Sequence, residues 1–281
     1  MLSRQRIGFI GGGNMATALI GGLLQSGAAA SENIVCSEVQ GEVRRGLKER
    51  FAIAVTGDNL KVSRQADIIV YAVKPQVLPE VLRQTAEVVD DTKLIISIAA
   101  GVPLAALAHG LGVSEGKIRL IRVMPNLCAL VGESATAIAA GAGTRPGDTD
   151  LAKTIFDAVG TSVVMGENLL DAFTGLGGSG PAYVFLIIEA LADAGVNMGL
   201  TRQDALLVAG QTLFGTAKMF VQGQEHPAQL KDRVCSPGGT SIAGVEALER
   251  GALRATLMQA VAAATERSRQ LGQVMAANFG K

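Results

Sequence analysis

The segment Ile7-Gly-Phe-Ile-Gly-Gly-Gly-Asn-Met-Ala16 is the most informative stretch of the chain. An apolar strand is predicted over residues 6–10 and a helix over residues 14–27, with three glycines between them. The segment matches G-x-G-x-x-A, in which the first Gly permits a tight turn and the second lets a pyrophosphate approach the backbone. Free N–H groups at the start of the helix then face the anion. We therefore predict a dinucleotide-binding strand–turn–helix.

Strands and helices alternate after this motif. Further strands are predicted over residues 33–37, 52–56, 66–73, 94–98, 117–123 and 135–139, and further helices over residues 41–50 and 76–88. The strands are continuously apolar, which is typical of a parallel sheet that helices cover on both faces. Residues 141–150 have the composition of a flexible loop. We expect an α/β fold, with an N-terminal Rossmann domain over residues 1–164.

The pattern changes to helices alone in the rest of the chain. Helices are predicted over residues 181–198, 202–221, 226–233, 241–249 and 251–277. Several are apolar nearly all round, and such helices require burial on every side. We therefore expect residues 165–281 to form an all-helical domain that contributes to a subunit interface.

Composition excludes several functional classes. The chain has 25 Lys plus Arg against 25 Asp plus Glu and no Trp, so it lacks the basic surplus and stacking surfaces of a nucleic-acid binder. Its three cysteines and two histidines lack the spacing of a metal site or a disulfide framework. The apolar runs at residues 7–24 and 94–108 are interrupted by polar residues or too short to span a bilayer. We expect a soluble, cytoplasmic protein with no metal, membrane or nucleic-acid partner.

The second strand ends in Cys36-Ser37-Glu38, where Rossmann domains distinguish NAD from NADP. An acidic residue suits a free ribose 2′-hydroxyl, whereas Ser with a nearby Arg suits a 2′-phosphate. Glu38 lies 27 residues after Gly11, further along than the usual spacing, so a solvated surface position is an equal alternative. The motif alone leaves the cofactor's phosphate undecided.

Two other strands end in candidate site residues. Ala72-Val73-Lys74-Pro75 follows the fourth strand, and Met124-Pro125-Asn126 follows the sixth. Ligands of doubly wound sheets bind outside the carboxyl ends of the strands, which places both segments near a bound cofactor. A solvated lysine and a plain turn are the alternatives.

Two glycine-rich loops lie in the helical half. Gly175-Leu-Gly-Gly-Ser-Gly-Pro-Ala-Tyr183 marks a tight helix start, compatible with a hinge, close packing or a substrate role. Val234-Cys-Ser-Pro-Gly-Gly-Thr-Ser-Ile242 combines hydroxyls with spare N–H groups, which suits a carboxylate. An ordinary turn, with Thr240 or Ser241 capping the next helix, is the alternative. His226 is a candidate proton donor, although His-Pro at a helix start is as often structural.

Taken together, these segments resemble the pyrroline-5-carboxylate reductases over the whole chain. The most specific part is His226-Pro-Ala-Gln-Leu-Lys-Asp232, followed by Cys235-Ser-Pro-Gly-Gly-Thr-Ser241 and residues 244–249. The resemblance implies a Rossmann domain for the nicotinamide cofactor and a helical domain that interleaves with a second subunit. Ser37 and Asn59 match positions that contact the adenosine ribose or its 2′-phosphate in that family, so we expect NADPH, with NADH left open. It also implies a homodimer or a larger oligomer built on the dimer, with the active site between the two domains.

The resemblance also implies roles for individual residues. It assigns cofactor contacts to Gly11, Gly13, Asn14, Met15, Ser37, Asn59, Ala72, Lys74 and Pro75. It assigns the substrate carboxylate to Ser236, Gly238, Gly239, Thr240 and Ser241, with Thr240 and Ser241 as the catalytic residues. Many members have Thr where this chain has Ser241, and both residues supply a hydroxyl. A protonated cyclic imine accepts hydride readily, so binding, alignment and exclusion of water are the expected contributions of the protein.

Two other functions remain as alternatives. A β-hydroxyacid dehydrogenase would share the N-terminal domain. The pattern of that family at the interdomain helix is G-x-x-G-x-G-x-x-x-K. This chain has no Lys in the helix that follows Gly175–Val184, which counts against that function. A non-catalytic pyridoxal-phosphate or nucleotide-sensing protein would not need both the N-terminal glycine turn at residues 11–13 and the Ser-Pro-Gly-Gly loop at residues 236–239. Reduction of pyrroline-5-carboxylate distinguishes the three.

Overall fold

Parallel strands form the centre of the fold. The computed structural model describes residues 2–223 and 225–279. The strands are β1 Ile7–Ile10, β2 Ile34–Ser37, β3 Ala54–Thr56, β4 Ile68–Tyr71, β5 Leu94–Ser97, β6 Arg119–Met124, β7 Ser134–Ala140 and β8 Gly160–Val164. They form one sheet in the order β3-β2-β1-β4-β5-β6-β7-β8. The predicted Rossmann fold is thus confirmed.

The sheet departs from the prediction at its far edge. Strand β7 pairs antiparallel with β6, from Ile121 opposite Ala140 to Met124 opposite Ala137, so the sheet is not wholly parallel. Strand β8, which pairs parallel with β7, was not predicted. Its Val163 and Val164 are about half exposed, and an edge strand of this kind lacks the continuous apolar run of a central strand.

Twelve α-helices are present in the described residues. They are α1 Asn14–Gln25, α2 Gly41–Phe51, α3 Asn59–Gln65, α4 Leu78–Thr85, α5 Leu104–Gly110, α6 Asp148–Asp157, α7 Leu170–Phe173, α8 Gly180–Asn197, α9 Arg202–Gln222, α10 Pro227–Val234, α11 Thr240–Arg250 and α12 Leu253–Phe279. The sequence did not predict α3, α5, α6 or the short α7. Helix α6 begins inside residues 141–150, so that stretch is not entirely a loop.

The core lies on both faces of the sheet. Strand β4 is buried throughout, and its side chains alternate, with Ile68 and Val70 on one face and Ile69 and Tyr71 on the other. Helices α1 and α6 contribute to the cluster on the first face, and α3, α4 and α5 contribute to the cluster on the second. This arrangement explains why the central strands are apolar on every residue.

The described chain divides into two compact units, residues 2–179 with 263–279, and residues 180–262. Strand β8 ends at Val164, yet residues 165–179 and the later part of α12 belong to the first unit. In that unit, the Ser268 hydroxyl donates to Asp171 Oδ1 over 2.6 Å. The functional boundary between residues 164 and 165 stays a prediction.

The second unit exposes many large apolar side chains. Helices α8 and α9 pack through small residues, since Ala192, Ala205 and Ala209 form their buried contact. The side chains of Phe185, Leu186 and Leu207 remain between 60% and 69% exposed. Residues Glu167–Asn197 form the one run in the described chain that is long and apolar enough to cross a membrane, and few of them are buried. Large apolar side chains exposed in this number are typical of an interaction surface.

Candidate cofactor and substrate loops

The glycine-rich turn after β1 leaves space for an anion. Gly11 has φ +99°, and a Cβ at this residue would lie 2.8 Å from the Ala72 carbonyl oxygen, so the position requires glycine. Nothing lies within 4 Å of the position where a Cβ of Gly13 would be. Helix α1 starts at Asn14 without a side-chain cap, which leaves the N–H groups of its first turn available. Glycines, open space and free N–H groups together fit a pyrophosphate.

The carboxyl ends of β1, β2 and β4 meet at this turn. The Gly11 N–H donates to the Ser37 carbonyl over 2.8 Å, and the Ala72 N–H donates to the Ile10 carbonyl over 2.8 Å. Lys74 is exposed, and its carbonyl accepts from the Val77 N–H in the turn before α4. Gly11, Ser37 and Ala72 are therefore neighbours, as the order of the strands requires.

Ser37 and Asn59 bond to each other. Ser37 is fully buried, and its hydroxyl donates to Asn59 Oδ1 over 2.7 Å. The Asn59 side-chain amide donates in turn to Gln84 Oε1 over 2.8 Å. Sequence reasoning missed Gln84 because it lies 25 residues from Asn59 on another helix. The Ser37 hydroxyl faces this internal chain of hydrogen bonds.

The Glu38 carboxylate contacts the backbone of the glycine-rich turn. Its Oε2 accepts from the Gly12 N–H and its Oε1 from the Gln40 N–H, both over 2.9 Å. Burial, reinforced by the negative charge of Glu38, raises the pKa of the Cys36 thiol to about 12. Cys36 is therefore a protonated core thiol at neutral pH.

The segment after β6 supports a second glycine-rich turn. The Asn126 side chain is buried, accepts from the Cys128 N–H over 3.1 Å and donates to the Gly177 carbonyl over 2.9 Å. Gly177 belongs to a π-helical turn over Thr174–Gly178 that precedes α8. Such turns are frequent at functional sites. The sequence predicted both segments, but not the hydrogen bond that joins them.

The second unit contains the predicted carboxylate loop. The Gly239 N–H donates to the Ser236 carbonyl over 3.0 Å, and Gly238 has φ +65°. Pro237 and Gly238 thus occupy the central positions of a type II turn, which requires glycine at the second one. Helix α11 follows from Thr240.

The start of α11 does not fit the alternative of an ordinary turn capped by Thr240 or Ser241. Neither Thr240 nor Ser241 caps this helix, because both lie within its first turn and the N-cap is Gly239, without a side-chain hydrogen bond. The first-turn N–H groups are thus left for a ligand, and no acidic residue lies in that turn. His226 has a structural role as the N-cap of α10, since its Nδ1 accepts from the Ala228 N–H over 3.2 Å.

Comparison with known proteins finds matching family models in both halves of the chain. A family model described as pyrroline-5-carboxylate reductase dimerisation matches residues 167–271. One described as NADP oxidoreductase, coenzyme F420-dependent, matches residues 6–101. Similar chains include the pyrroline-5-carboxylate reductases of Methanosarcina acetivorans (46% identity, covering 97% of this chain and 100% of the relative) and Arabidopsis thaliana (44%, covering 95% and 96%).

Solved structures agree with this placement. The pyrroline-5-carboxylate reductase of Coxiella burnetii superimposes with a TM-score of 0.91 at 34% identity, covering 95% of this chain and 98% of that one. The Plasmodium falciparum pyrroline carboxylate reductase with NADP bound gives 0.83 at 32% identity, covering 96% and 99%. These similarities extend over nearly the full length and exceed what a shared Rossmann domain alone would give. The chain belongs to the pyrroline-5-carboxylate reductase family.

Proposed function

We propose that the chain reduces the C=N bond of pyrroline-5-carboxylate to give L-proline, the last step of proline synthesis. The strongest support is membership of the family over 97% of the chain, combined with the glycine-rich turn and its open space at Gly13. A β-hydroxyacid dehydrogenase function has no comparable support. When bound, NAD(P)H supplies the hydride.

The N-terminal residues would hold the cofactor. The free N–H groups of Gly13, Asn14 and Met15 would bind the pyrophosphate, and the Gly11 turn would keep side chains away from it. Asn59 would lie beside the adenosine ribose, and its hydrogen bond with buried Ser37 would fix its orientation. Ala72, Lys74 and Pro75 flank the cofactor after β4.

The loop from Ser236 to Ser241 would bind the substrate carboxylate. Gly238 and Gly239 let the backbone turn its N–H groups outward, and the positive end of the α11 dipole favours an anion there. The Thr240 and Ser241 hydroxyls then lie in the same helical turn, and we assign the Ser241 hydroxyl to the imine nitrogen. The cyclic imine is readily protonated, so the chain needs mainly to align the ring and exclude water.

The assembly would be a homodimer, or a larger oligomer built on it. A second copy would cover the exposed apolar residues of α8 and α9, in keeping with the dimerisation model that matches residues 167–271. In functional terms, residues 1–164 would bind the cofactor and residues 165–281 the substrate and the partner copy. Three free thiols suit the reducing cytoplasm.

Variants of the loop test these assignments. We expect Thr240→Ala and Ser241→Ala to lower turnover about tenfold or more, with little change in cofactor affinity, because one removed hydrogen bond in the transition state has roughly that effect. Turnover is followed by the loss of reduced-nicotinamide absorbance after addition of pyrroline-5-carboxylate, with a 3-hydroxyacid as the substrate control. Thr256→Ala, on an exposed turn of α12, is the matched control variant. Wild-type turnover in both loop variants would contradict the loop's role.

A further inference from the structure

Glu38 lies where the adenosine ribose of a bound dinucleotide is expected. It follows the last residue of β2, and its N–H donates to the Thr56 carbonyl over 3.0 Å, which fixes the backbone at the edge of the sheet. The carboxylate accepts a hydrogen bond from the Gly12 N–H, which lies 26 residues earlier in the chain. Because Gly12 lies inside the pyrophosphate turn, the carboxylate is held beside the cofactor groove rather than in bulk solvent.

Two backbone N–H groups hold this carboxylate in place. Gly12 and Gln40 each donate to a different oxygen of Glu38 over 2.9 Å. A carboxylate has about four acceptor positions, so these bonds leave capacity for further donors. Glu38 is half-buried and therefore not enclosed by the protein. This geometry presents a fixed negative charge and free acceptor capacity to the groove.

Among the described residues, the hydrogen bonds to the Glu38 carboxylate come from backbone N–H groups and not from a side-chain cation. The Ser37 hydroxyl is buried and donates to Asn59, so it faces away from an exposed phosphate. Arg44 is the cation on this turn, but its Nη1 donates to the backbone carbonyls of Glu38 and Val39, over 2.5 Å and 2.8 Å. The guanidinium therefore holds the backbone of Glu38 and Val39 and not the Glu38 carboxylate.

We propose that Glu38 selects the cofactor, accepting hydrogen bonds from the ribose hydroxyls of NADH and repelling the 2′-phosphate of NADPH. This inference rests on the proposed use of a nicotinamide cofactor. It reverses the preference for NADPH that Ser37 and Asn59 led us to expect. The physical reason is that a phosphate placed against an anchored carboxylate meets like charge at short range, whereas a hydroxyl donates to it.

Direct binding measurements test the role of Glu38. We expect isothermal titration of the wild-type protein to give NADH about tenfold or more tighter binding than NADPH, measured at one stated ionic strength. Glu38→Gln keeps the shape and removes the charge, and it should bring the two affinities within about threefold by strengthening NADPH binding. Glu42→Gln, an exposed change on α2, is the matched control and should keep the wild-type ratio.

These outcomes distinguish failure of the Glu38 assignment from failure of the proposed reductase function. Tighter NADPH than NADH binding in the wild type, with Glu38→Gln unchanged, would overturn the role of Glu38 and leave the reductase function intact. Binding of neither cofactor would overturn the proposed function itself. Loss of NADPH affinity in Arg44→Gln would assign selection to the guanidinium and overturn our assignment.

A measurement on the unmodified protein guards against a variant that fails to fold. ADP-ribose and its 2′-phosphorylated form carry the adenosine end of each cofactor without the nicotinamide. We expect ADP-ribose to displace bound NADH at a concentration about tenfold lower than its 2′-phosphorylated form requires. Equal or reversed competition would contradict selection by Glu38.

Discussion

Two neighbouring glycines in the turn after β1 are expected to respond to the same substitution in different ways. A methyl group at Gly11 would lie 2.8 Å from the Ala72 carbonyl oxygen and 2.9 Å from Val73 Cγ1, at φ +99°. At Gly13 the backbone has φ −68° and ψ −175°, which any residue adopts, and nothing lies within 4 Å of the added Cβ. One substitution therefore alters the fold, and the other fills the space assigned to the pyrophosphate.

The magnitudes follow from these contacts. For Gly11→Ala, a left-handed backbone costs about 1–2 kcal/mol and forced overpacking about 1–3 kcal/mol, so we expect a loss of about 2–5 kcal/mol in the free energy of unfolding. For Gly13→Ala, exchanging Gly for Ala at an N-cap costs about 1 kcal/mol or less. The methyl group should nevertheless reduce cofactor affinity at least tenfold, or about 1.4 kcal/mol, by displacing the pyrophosphate from the N–H groups.

Urea denaturation and isothermal titration with NADH and NADPH measure the two effects separately. Gly11→Ala should lower the unfolding midpoint strongly, whereas Gly13→Ala should fold almost as the wild type does and bind either cofactor weakly. Wild-type cofactor affinity in Gly13→Ala would refute the placement of the pyrophosphate. Wild-type stability in Gly11→Ala would refute the close approach of β1 and β4.

Three further predictions concern stability and assembly. Gly22→Ala on α1 places a methyl group 2.5 Å from the Ala158 carbonyl oxygen and should lower the free energy of unfolding by about 1–3 kcal/mol. Gly46→Ala, with nothing within 4 Å of the added Cβ, should instead stabilise α2 by about 0.5–1 kcal/mol. Equal urea midpoints for the two variants would contradict both predictions. Burial alone would raise the pKa of Asp148, but the Arg119 guanidinium bonds both carboxylate oxygens and brings the pKa below its usual 3.8. Asp148 therefore contributes stability above its unfolded pKa that is lost as the pH falls through the folded pKa. Asp148→Asn should lower the free energy of unfolding by about 3 kcal/mol at pH 7, and the variant should lose less stability than the wild type as the pH is lowered. Wild-type urea midpoints for the variant at both neutral and acidic pH would exclude this role. Leu186→Glu, at a side chain 65% exposed on α8, should lower the mass measured by sedimentation, and an unchanged mass would contradict the proposed interface.

The central strands could be predicted because each of their residues is buried. Ile68 and Ile69 contact opposite faces of the sheet, so a strand covered on both faces appears as an unbroken apolar run. Strand β8 gave no such signal, since Val163 and Val164 at the edge of the sheet stay about half exposed. The antiparallel direction of β7 depends on a turn and on partner strands, and its composition resembles that of a parallel strand.

The candidate site was predictable at the level of motifs but not of side-chain pairs. Glycines at fixed spacing after an apolar strand indicate the pyrophosphate turn because the backbone geometry itself requires them. The contact between Glu38 and the Gly12 N–H joins residues 26 apart, and Gln84 meets Asn59 across 25 residues. No local pattern encodes such pairs, because the packing of separate elements creates them.

Isotope transfer tests the proposed reaction most directly. The enzyme is supplied with pyrroline-5-carboxylate and with NADH or NADPH in which both hydrogens of the reactive nicotinamide carbon are replaced by deuterium. The product is examined by mass spectrometry and chiral chromatography. We predict L-proline with one deuterium on the ring carbon that was double-bonded to nitrogen, formed in equal amount to the oxidised cofactor. Absence of labelled proline, with a folded protein that binds the cofactor, would contradict the reductase function.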